Sequence, residues 1–319
     1  MKAIVLKDLE NLNYEEIDNQ SIEGFIKIEL KASALNHRDV WISKGQYAGI
    51  KFPMVLGSDG VGLDEQEKKV IINPGLNWGS NEAFQSKSYQ ILGLPNFGTF
   101  SDSCWVAPSQ IYDFPTHLDD VSAAALPLAG VTAYRSLFSR AKVKPTDKVL
   151  ISGVGGGVAL FAMQFAIALG CDVYVTSGHE WKIEKAISMG AKGGKNYKSD
   201  SYVKEFQSEV GGFDVIVDSA GGDGFSNLVK LANPGGRIVF YGGTNGNLNI
   251  NPQMVFWKQL SILGSTMGSD HDFAEMLAFI NKYKIVPVVD SIFELKDFKA
   301  AFDKMNKGEQ FGKIVFKNN

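Results

Sequence analysis

The segment from Lys148 to Leu169 constrains the fold of this 319-residue chain more than any other. The run Val149-Leu150-Ile151 is fully apolar, a glycine-rich turn follows it, and residues 158–169 are apolar on nearly every face. A strand and a helix of this kind are buried on more than one side, as in a parallel sheet covered by helices. Glycines let the turn pass close to an anion, and the helix that follows directs free N–H groups toward it. The segment predicts a cradle for a dinucleotide pyrophosphate.

The turn is best aligned as G-x-x-G-x-x-A through Gly153, Gly156 and Ala159, because the alternative G-x-G-x-x-G pattern fails at Val158. Glycine-rich turns occur in many α/β proteins, so the prediction depends on the context of strand, turn, helix and second strand. The predicted cofactor-binding residues of this loop are Gly153, Gly155, Gly156, Gly157 and Val158.

The end of the second strand indicates which nicotinamide cofactor is bound. An NAD site generally has an acid there, which accepts a hydrogen bond from the ribose 2′-OH. Here the strand ends in Ser177, and Lys182 follows in the next helix. A hydroxyl and a lysine favour the 2′-phosphate of NADP, and Tyr197 is expected over the same pocket. Against this, Glu180 complicates the electrostatics, and Lys182 could be an ordinary solvated helix lysine.

Two domains are predicted from the change of pattern along the chain. Residues 1–120 contain short β-like runs punctuated by glycine, proline and asparagine, whereas strand and helix patterns alternate after Lys148. We predict a doubly wound parallel (Rossmann) NADP-binding domain over residues 121–284. Residues 1–120 and 285–319 are predicted to form a discontinuous, mainly antiparallel β domain that carries the substrate site.

Composition excludes several classes of protein. The formal net charge is −3 without a basic block, so neither nucleic-acid nor membrane-surface binding is expected. The sequence has no apolar run long enough for a membrane span. Only Cys104 and Cys171 occur, which indicates a reducing, cytoplasmic setting and excludes a four-cysteine zinc site.

Several blocks of sequence resemble a known family along the whole chain. They are residues 32–39 (ASALNHRD), 53–62 (PMVLGSDGVG), 98–100 (GTF), 125–134 (ALPLAGVTAY), 217–221 (VDSAG) and 312–315 (GKIV), together with the glycine loop. In these blocks the chain resembles the medium-chain dehydrogenase/reductase superfamily, and within it the zinc-free quinone oxidoreductase-like branch.

The resemblance implies a GroES-like catalytic domain, a central cofactor domain and a substrate cleft between them. Ligands in such sheets gather outside the carboxyl ends of strands, which independently favours Ser219, Gly242 and Ser265. The resemblance also implies a homodimer paired through the sheet edge at residues 261–265. The remaining cofactor neighbours predicted from the resemblance are Thr132, Gly243, Met267 and Lys313.

The chain departs from zinc-dependent members of that superfamily at two positions. Those enzymes carry a cysteine where this chain has Asn36, and a histidine where it has Ser58. Both are poor zinc ligands, and a catalytic zinc needs about three good ones. We therefore predict no metal, although His37, Asp39 and Asp59 leave a rearranged site open; otherwise the two aspartates are structural hydrogen-bond partners.

Without a metal, the predicted reaction is hydride transfer with hydrogen bonds that polarise a substrate carbonyl. The predicted catalytic residues are Asn36 as an amide donor, Arg38 as a positive charge for an enolate, and Tyr47 as a phenol that binds substrate or delivers a proton. Alternatively, Asn36 only holds a turn, Arg38 pairs with Asp39 or Asp59, and Tyr47 is a surface aromatic.

The predicted function is NADPH-dependent reduction of the carbonyl or conjugated double bond of a small apolar molecule, a quinone or an enone. Two alternatives stay open at this stage. One is a zinc-type alcohol dehydrogenase. The other is an NADPH-binding sensor or structural protein with little turnover.

Overall fold

The computed structural model describes residues 1–318 and divides into two compact units. The first unit comprises Met1–Val131 and the chain from Gly268 onward, and the second comprises Thr132–Met267. The first unit is therefore discontinuous. The predicted central domain covers residues 121–284. In the structure, residues 121–131 and 268–284 belong to the first unit and not to the central one.

The strands and helices are as follows in chain order. The strands are β1 (Lys2–Asp8), β2 (Asn11–Glu16), β3 (Ile26–Leu35), β4 (Met54–Val55), β5 (Asp59–Leu63), β6 (Lys69–Ile72), β7 (Gly75–Leu76), β8 (Gln90–Ile91), β9 (Ser103–Val106), β10 (Ile111–Asp113), β11 (Lys148–Ile151), β12 (Asp172–Ser177), β13 (Gly193–Asn196), β14 (Phe213–Asp218), β15 (Ala232–Phe240), β16 (Ser261–Gly264), β17 (Val289–Phe293) and β18 (Lys313–Lys317). The α-helices are α1 (His37–Ser43), α2 (Asp120–Ala124), α3 (Pro127–Tyr134), α4 (Gly157–Leu169), α5 (Glu180–Ser188), α6 (Tyr202–Glu209), α7 (Phe225–Leu231), α8 (Pro252–Trp257), α9 (Asp270–Tyr283) and α10 (Phe298–Lys307). A π-helix covers Arg135–Arg140, and short 3₁₀ turns cover Pro108–Gln110 and Leu295–Asp297.

The first unit is built on a mostly antiparallel sheet in the order β10-β6-β5-β3-β18-β17, with β9 also paired to β3. The strand β18 comes from the end of the chain, which explains why this unit is discontinuous. A second sheet has the order β2-β1-β4. Phe100 and Phe316 meet edge to face at 5.0 Å within the main core of the unit, beside Phe302.

Two contacts explain why the domain boundaries differ from the prediction. The helix α2 packs on β3 and β5 of the first unit. Phe273 of α9 is fully buried and stacks edge to face on Tyr112, with ring centroids 4.8 Å apart. Both helices bury apolar surface against the antiparallel sheet, and a purely local reading of helical periodicity cannot distinguish which sheet a helix packs on.

The second unit is a six-stranded, wholly parallel sheet in the order β13-β12-β11-β14-β15-β16. The order runs outward in both directions from β11, so it reverses between β11 and β14. This is the doubly wound topology, and ligands bind at the point of reversal in such sheets. The predicted fold class, a Rossmann unit plus a mainly antiparallel GroES-like unit, is confirmed.

Over residues 1–318, no helix has the length and apolar character needed to cross a membrane.

Candidate active site

The glycine loop lies at the reversal point of the parallel sheet. The backbone N–H of Ser152 donates to Val217 O at 2.9 Å, and that of Val154 donates to Thr176 O at 2.7 Å. The loop is thus tied to both neighbouring strands, β14 and β12. Gly153 has φ +70° and Gly155 has φ +137°, backbone conformations that residues other than glycine rarely adopt.

The residues of this loop fit a bound phosphate. Gly156 is the N-cap of α4, whose first N–H groups have no partner within the helix. A Cβ added to Gly156 would meet nothing within 4 Å, so the mouth of the helix is open. A Cβ added to Gly155 would lie 3.2 Å from Lys182 Nζ and 2.9 Å from its Cδ. A nearly buried ammonium therefore lies directly beside the open helix end, and the helix dipole and a full charge act on the same volume.

The end of β12 brings Ser177 and Tyr197 together. The Tyr197 N–H donates to Ser177 O at 3.1 Å, and a Cβ on Gly178 would come within 2.8 Å of the Tyr197 hydroxyl. Ser177 is buried, whereas Tyr197 is about half exposed. The carboxylate of Glu180 accepts a hydrogen bond of 2.8 Å from Asn196 Nδ2. This acid, which argues against a phosphate at the end of β12, therefore has a hydrogen-bond partner within the protein.

The residues predicted along the nicotinamide half also lie at the carboxyl ends of strands. A Cβ on Gly242 would approach Ser219 O to 2.4 Å, and one on Gly153 would lie 3.8 Å from Ser219 Oγ, so these three residues are neighbours. The Ser265 N–H donates to Phe240 O at 2.9 Å, while the buried Ser265 Oγ has no partner among the described residues. An unpartnered buried hydroxyl at this edge fits a site that a cofactor completes.

The other predicted cofactor neighbours lie at the limits of the second unit or on its surface loop. Thr132 is its first residue, is buried, and accepts a hydrogen bond of 2.7 Å from Ser136 Oγ. Met267 is its last residue, buried with φ +45°. Gly243 belongs to the turn after β15, where its carbonyl accepts from the Gly246 N–H.

In the first unit, the predicted catalytic residue Asn36 belongs to a buried triad with Asp59 and Lys313. Lys313 Nζ donates to Asn36 Oδ1 at 2.6 Å, to Asp59 Oδ2 at 2.9 Å and to Leu35 O at 2.9 Å. Asn36 Nδ2 donates to Asp59 Oδ2 at 2.9 Å and to Ala34 O at 3.3 Å. Asp59 is fully buried and Lys313 is 3% exposed.

Two residues predicted for the site belong to this triad. Lys313 was predicted to bind the cofactor, but all three ammonium hydrogens are directed to partners within the first unit. Asn36 was predicted to donate to a substrate carbonyl, but both amide hydrogens already have acceptors. The alternative reading of Asn36, as a residue that holds local structure, matches its position as the N-cap of α1.

Asp39 completes the polar cluster at the start of α1. Its Oδ2 accepts from the Asn36 N–H at 2.9 Å, and Oδ1 accepts from the Gly57 N–H at 3.3 Å. Burial raises the pKa of Asp39 from 3.8 to about 6, against the opposing effect of the Arg38 charge. Asp39 is therefore the structural hydrogen-bond partner that the sequence suggested.

Arg38 lies beside this cluster and does not pair with either aspartate. Its Nη1 donates to Ser58 Oγ and to Leu92 O, the latter at 2.9 Å, and Ser58 Oγ also donates to Leu92 O at 2.8 Å. The guanidinium carbon lies 5.7 Å from the centre of the Tyr47 ring, a cation–π distance. Tyr47 is 37% exposed, so two of the three predicted catalytic side chains adjoin each other at an accessible position.

The two aspartates of the rearranged metal site that the sequence leaves open are engaged by protein groups. Asp39 uses both oxygens on backbone N–H groups, and Asp59 uses Oδ1 on the Leu128 N–H at 2.7 Å and Oδ2 on Lys313. Within residues 1–318, no three histidine, cysteine, aspartate or glutamate side chains form a group that could hold a metal ion.

Sequence reasoning missed the role of Lys313 as the partner of Asp59 and the contact of Arg38 with Leu92 O. The first joins residues 254 positions apart and the second residues 54 apart. No local spacing signals either contact. The only available hint was composition: an acid and a lysine within apolar strands both require a buried partner.

The comparisons agree with this architecture. Residues 23–116 match the family described as "Alcohol dehydrogenase GroES-like domain", and residues 157–282 match "Zinc-binding dehydrogenase". A zinc-type alcohol dehydrogenase-like protein of Leptosphaeria maculans is 34% identical, over 91% of this chain and 89% of its own length. The quinone oxidoreductase of Rattus norvegicus is 29% identical, over 91% and 88%. A crystal structure of an NAD-dependent alcohol dehydrogenase superposes with a TM-score of 0.93 at 32% identity, covering both chains completely.

The fold, the glycine loop and these relatives define a dinucleotide-binding oxidoreductase. More specifically, the chain belongs to the medium-chain dehydrogenase/reductase superfamily.

Proposed function

We propose that this protein is an NADPH-dependent, metal-free oxidoreductase that reduces the carbonyl or conjugated double bond of a small apolar quinone or enone. The observation that carries the proposal is the position of Lys182 Nζ against Gly155, together with a β12 that ends in Ser177 rather than in an acid. A positive charge and a hydroxyl near the phosphate cradle favour a cofactor with an additional phosphate. Ser177, Lys182 and Tyr197 would hold that phosphate.

The relatives support an oxidoreductase but differ in cofactor and metal. Quinone oxidoreductases and alcohol dehydrogenases both occur among them, and the superposed dehydrogenase is described as NAD-dependent. The choice of NADPH therefore rests on the residues of this chain. So does the choice of a metal-free reaction, because Asn36 and Ser58 are weak ligands and both are engaged by protein groups.

When bound, the reduced nicotinamide supplies the hydride. Of the three predicted catalytic residues, Arg38 and Tyr47 have donors that the protein does not consume. Arg38 Nη2 has no partner among the described residues, and the Tyr47 ring is partly exposed beside it. We infer that Arg38 stabilises negative charge on the substrate oxygen and that the Tyr47 phenol binds substrate or donates a proton. Asn36, Asp59 and Lys313 hold the start of α1, and thereby position Arg38.

The cofactor proposal is tested with Lys182→Met and the matched variant Lys185→Met, which removes a lysine one turn further along α5. Loss of a charged hydrogen-bond donor to phosphate costs about 1.5–3 kcal/mol, or about a 10- to 100-fold fall in kcat/KM for NADPH. Activity with NADH should change little. Steady-state oxidation of both cofactors with a quinone and an enone panel measures this, and a wild-type preference for NADH would refute the proposal.

The zinc-type alcohol dehydrogenase remains the second candidate, because the relative in Leptosphaeria maculans carries that description. Elemental analysis of the purified protein decides between the two. One zinc per chain, together with alcohol oxidation that a chelator abolishes, would favour the zinc-type enzyme.

We also propose a homodimer that pairs through the outer edge of β16. This strand is the last of the parallel sheet and pairs with β15 alone among the described strands. Phe256 and Trp257 lie in the preceding helix with 57% and 74% of their surfaces exposed, an unusual cost unless a partner covers them. Sedimentation velocity should give a dimer for the wild type and a monomer for Trp257→Ser combined with Ser261→Lys.

A reducing, cytoplasmic setting is part of the proposal, since both cysteines are free and buried.

A further inference from the structure

The guanidinium of Arg38 is a buried positive charge that forms no ion pair or hydrogen bond with a carboxylate among residues 1–318. The residue is 7% exposed, and its hydrogen bonds go to Ser58 Oγ and Leu92 O, both of them neutral groups. No carboxylate within residues 1–318 forms an ion pair with Arg38; besides these bonds, its charge contacts the Tyr47 ring and acts electrostatically on the neighbouring Asp39. Buried arginines are ordinarily paired with a carboxylate, because removal of a charge from water costs several kcal/mol.

The neighbouring charges do not supply the missing partner. Asp59 is engaged by Lys313, and the carboxylate oxygens of Asp39 face the backbone N–H groups of Asn36 and Gly57. The charge of Arg38 favours the ionised form of Asp39, but no hydrogen bond joins the two side chains. Asp59 is paired with Lys313, so no carboxylate accepts a hydrogen bond from the guanidinium.

Three of the five N–H donors of Arg38 are also unused. Nε is buried and has no partner, and Nη2 donates to no described residue. Ser58 Oγ donates its own proton to Leu92 O and thereby presents a lone pair that fixes Nη1. The ring of Tyr47 covers the guanidinium from one side. These contacts fix the orientation of the guanidinium and leave Nη2 available, which is the arrangement of a preorganised receptor for an oxyanion.

We propose that Arg38 binds a carboxylate carried by the substrate, so that the natural substrates are small unsaturated or oxo acids rather than neutral quinones or enones. This inference rests on the proposed reductase function and replaces its neutral apolar substrates with acids that carry the same reducible group. A neutral carbonyl presents only a dipole to the guanidinium, whereas a carboxylate supplies a full negative charge and acceptor oxygens for the donors that Arg38 does not use. The carboxylate fixes the orientation of the acceptor carbon beside Tyr47, and in this refinement Arg38 binds the carboxylate in place of the reacting substrate oxygen.

The test compares benzoylacrylate with its methyl ester, which have the same reducible enone and differ in the charge. For the wild type we expect kcat/KM to be about 10- to 100-fold higher for the acid, the effect of one charge-assisted hydrogen-bonded contact. Arg38→Met should bring the two substrates within about threefold of each other. Lys51→Met removes an exposed lysine from the same unit and should retain the wild-type preference.

A second measurement separates recognition from structure. Arg38→Met should retain a cooperative thermal transition, because Ser58 Oγ still donates to Leu92 O when the guanidinium is removed. Thermal shift with benzoate, and with inorganic phosphate as the other oxyanion, then reports binding without turnover. Stabilisation by benzoate that is lost in Arg38→Met supports the proposal.

The failures of the two proposals are distinguishable. Equal activity on acid and ester, unchanged in Arg38→Met, would overturn the carboxylate receptor and leave the reductase intact. The carboxylate receptor would also be overturned if Arg38→Met raised the KM for NADPH and if phosphate, not benzoate, stabilised the wild type. Arg38 would then bind a cofactor phosphate. If no substrate is reduced, the reductase fails, and the benzoate shift alone decides whether Arg38 is a carboxylate receptor.

Discussion

The buried triad makes Lys313→Met the most informative single substitution for the first unit. The change removes three hydrogen bonds of 2.6–2.9 Å and leaves the fully buried Asp59 without its counterion. Removal of one partner from a buried ion pair costs about 3–5 kcal/mol, because the remaining charge stays desolvated. We expect urea unfolding, followed by tryptophan fluorescence, to show a fall in stability of this size.

Lys317→Met is the matched control, because Lys317 lies on the same strand with its side chain exposed. Its effect should stay within about 0.5 kcal/mol. The double variant Lys313→Met, Asp59→Asn should recover about half of the loss, since a neutral amide can still accept from the Leu128 N–H. A fall below about 1 kcal/mol for Lys313→Met, or strict additivity in the double variant, would refute the triad as a coupled buried unit.

Two further predictions concern the glycine loop and Asp39. Gly155→Ala should lower the free energy of unfolding in urea by about 1–3 kcal/mol, because Gly155 has a φ of +137° and an added Cβ would meet Lys182. Gly156→Ala should leave that free energy unchanged, because an added Cβ meets nothing within 4 Å, but it should weaken NADPH binding in a fluorescence titration. Equal stability losses in the two alanine variants would contradict this. Burial raises the pKa of Asp39 from 3.8 to about 6, so between these pH values the folded state binds a proton that the unfolded state has released. The free energy of unfolding should therefore fall by about 3 kcal/mol as the pH rises through that window. Asp39→Asn, measured in the same urea titrations from pH 4 to 7, should lack this loss; a parallel pH profile in both proteins would show that Asp39 does not titrate as described.

The cofactor side of the site was accessible to prediction because its chemistry is local. The strand, the glycine turn and the helix are contiguous in sequence, and Ser177 and Lys182 follow at fixed distances along the next strand and helix. The parallel register of β11, β12 and β14 then brings their carboxyl ends together without further information. Sequence pattern is sufficient where covalent neighbours and the sheet rule together fix the positions.

The catalytic side was less accessible, because its contacts join distant segments. Asn36 is an eligible amide donor in sequence, and only the arrival of Lys313 on β18 shows that its hydrogens and its oxygen are engaged. Arg38 had two candidate carboxylate partners in the sequence, Asp39 and Asp59, and in the fold it forms an ion pair with neither. Burial and hydrogen-bond saturation are properties of the packed chain, so residue type alone could not decide these roles.

The sequence by itself determined three features. They are the glycine loop, the alternation of strands and helices, and the presence of Asn36 and Ser58 where zinc-dependent members of the superfamily have metal ligands. They predict a dinucleotide fold, which the structure confirms, and poor zinc ligands at two positions, because turn geometry and ligand chemistry depend on residue identity. Tertiary structure alone decided that α2 and α9 pack with the antiparallel sheet, that Lys313 neutralises Asp59, and that Arg38 keeps its charge unpaired. The physical reason is that charge compensation in a protein interior is set by which distant groups meet there, and that is a property of the fold.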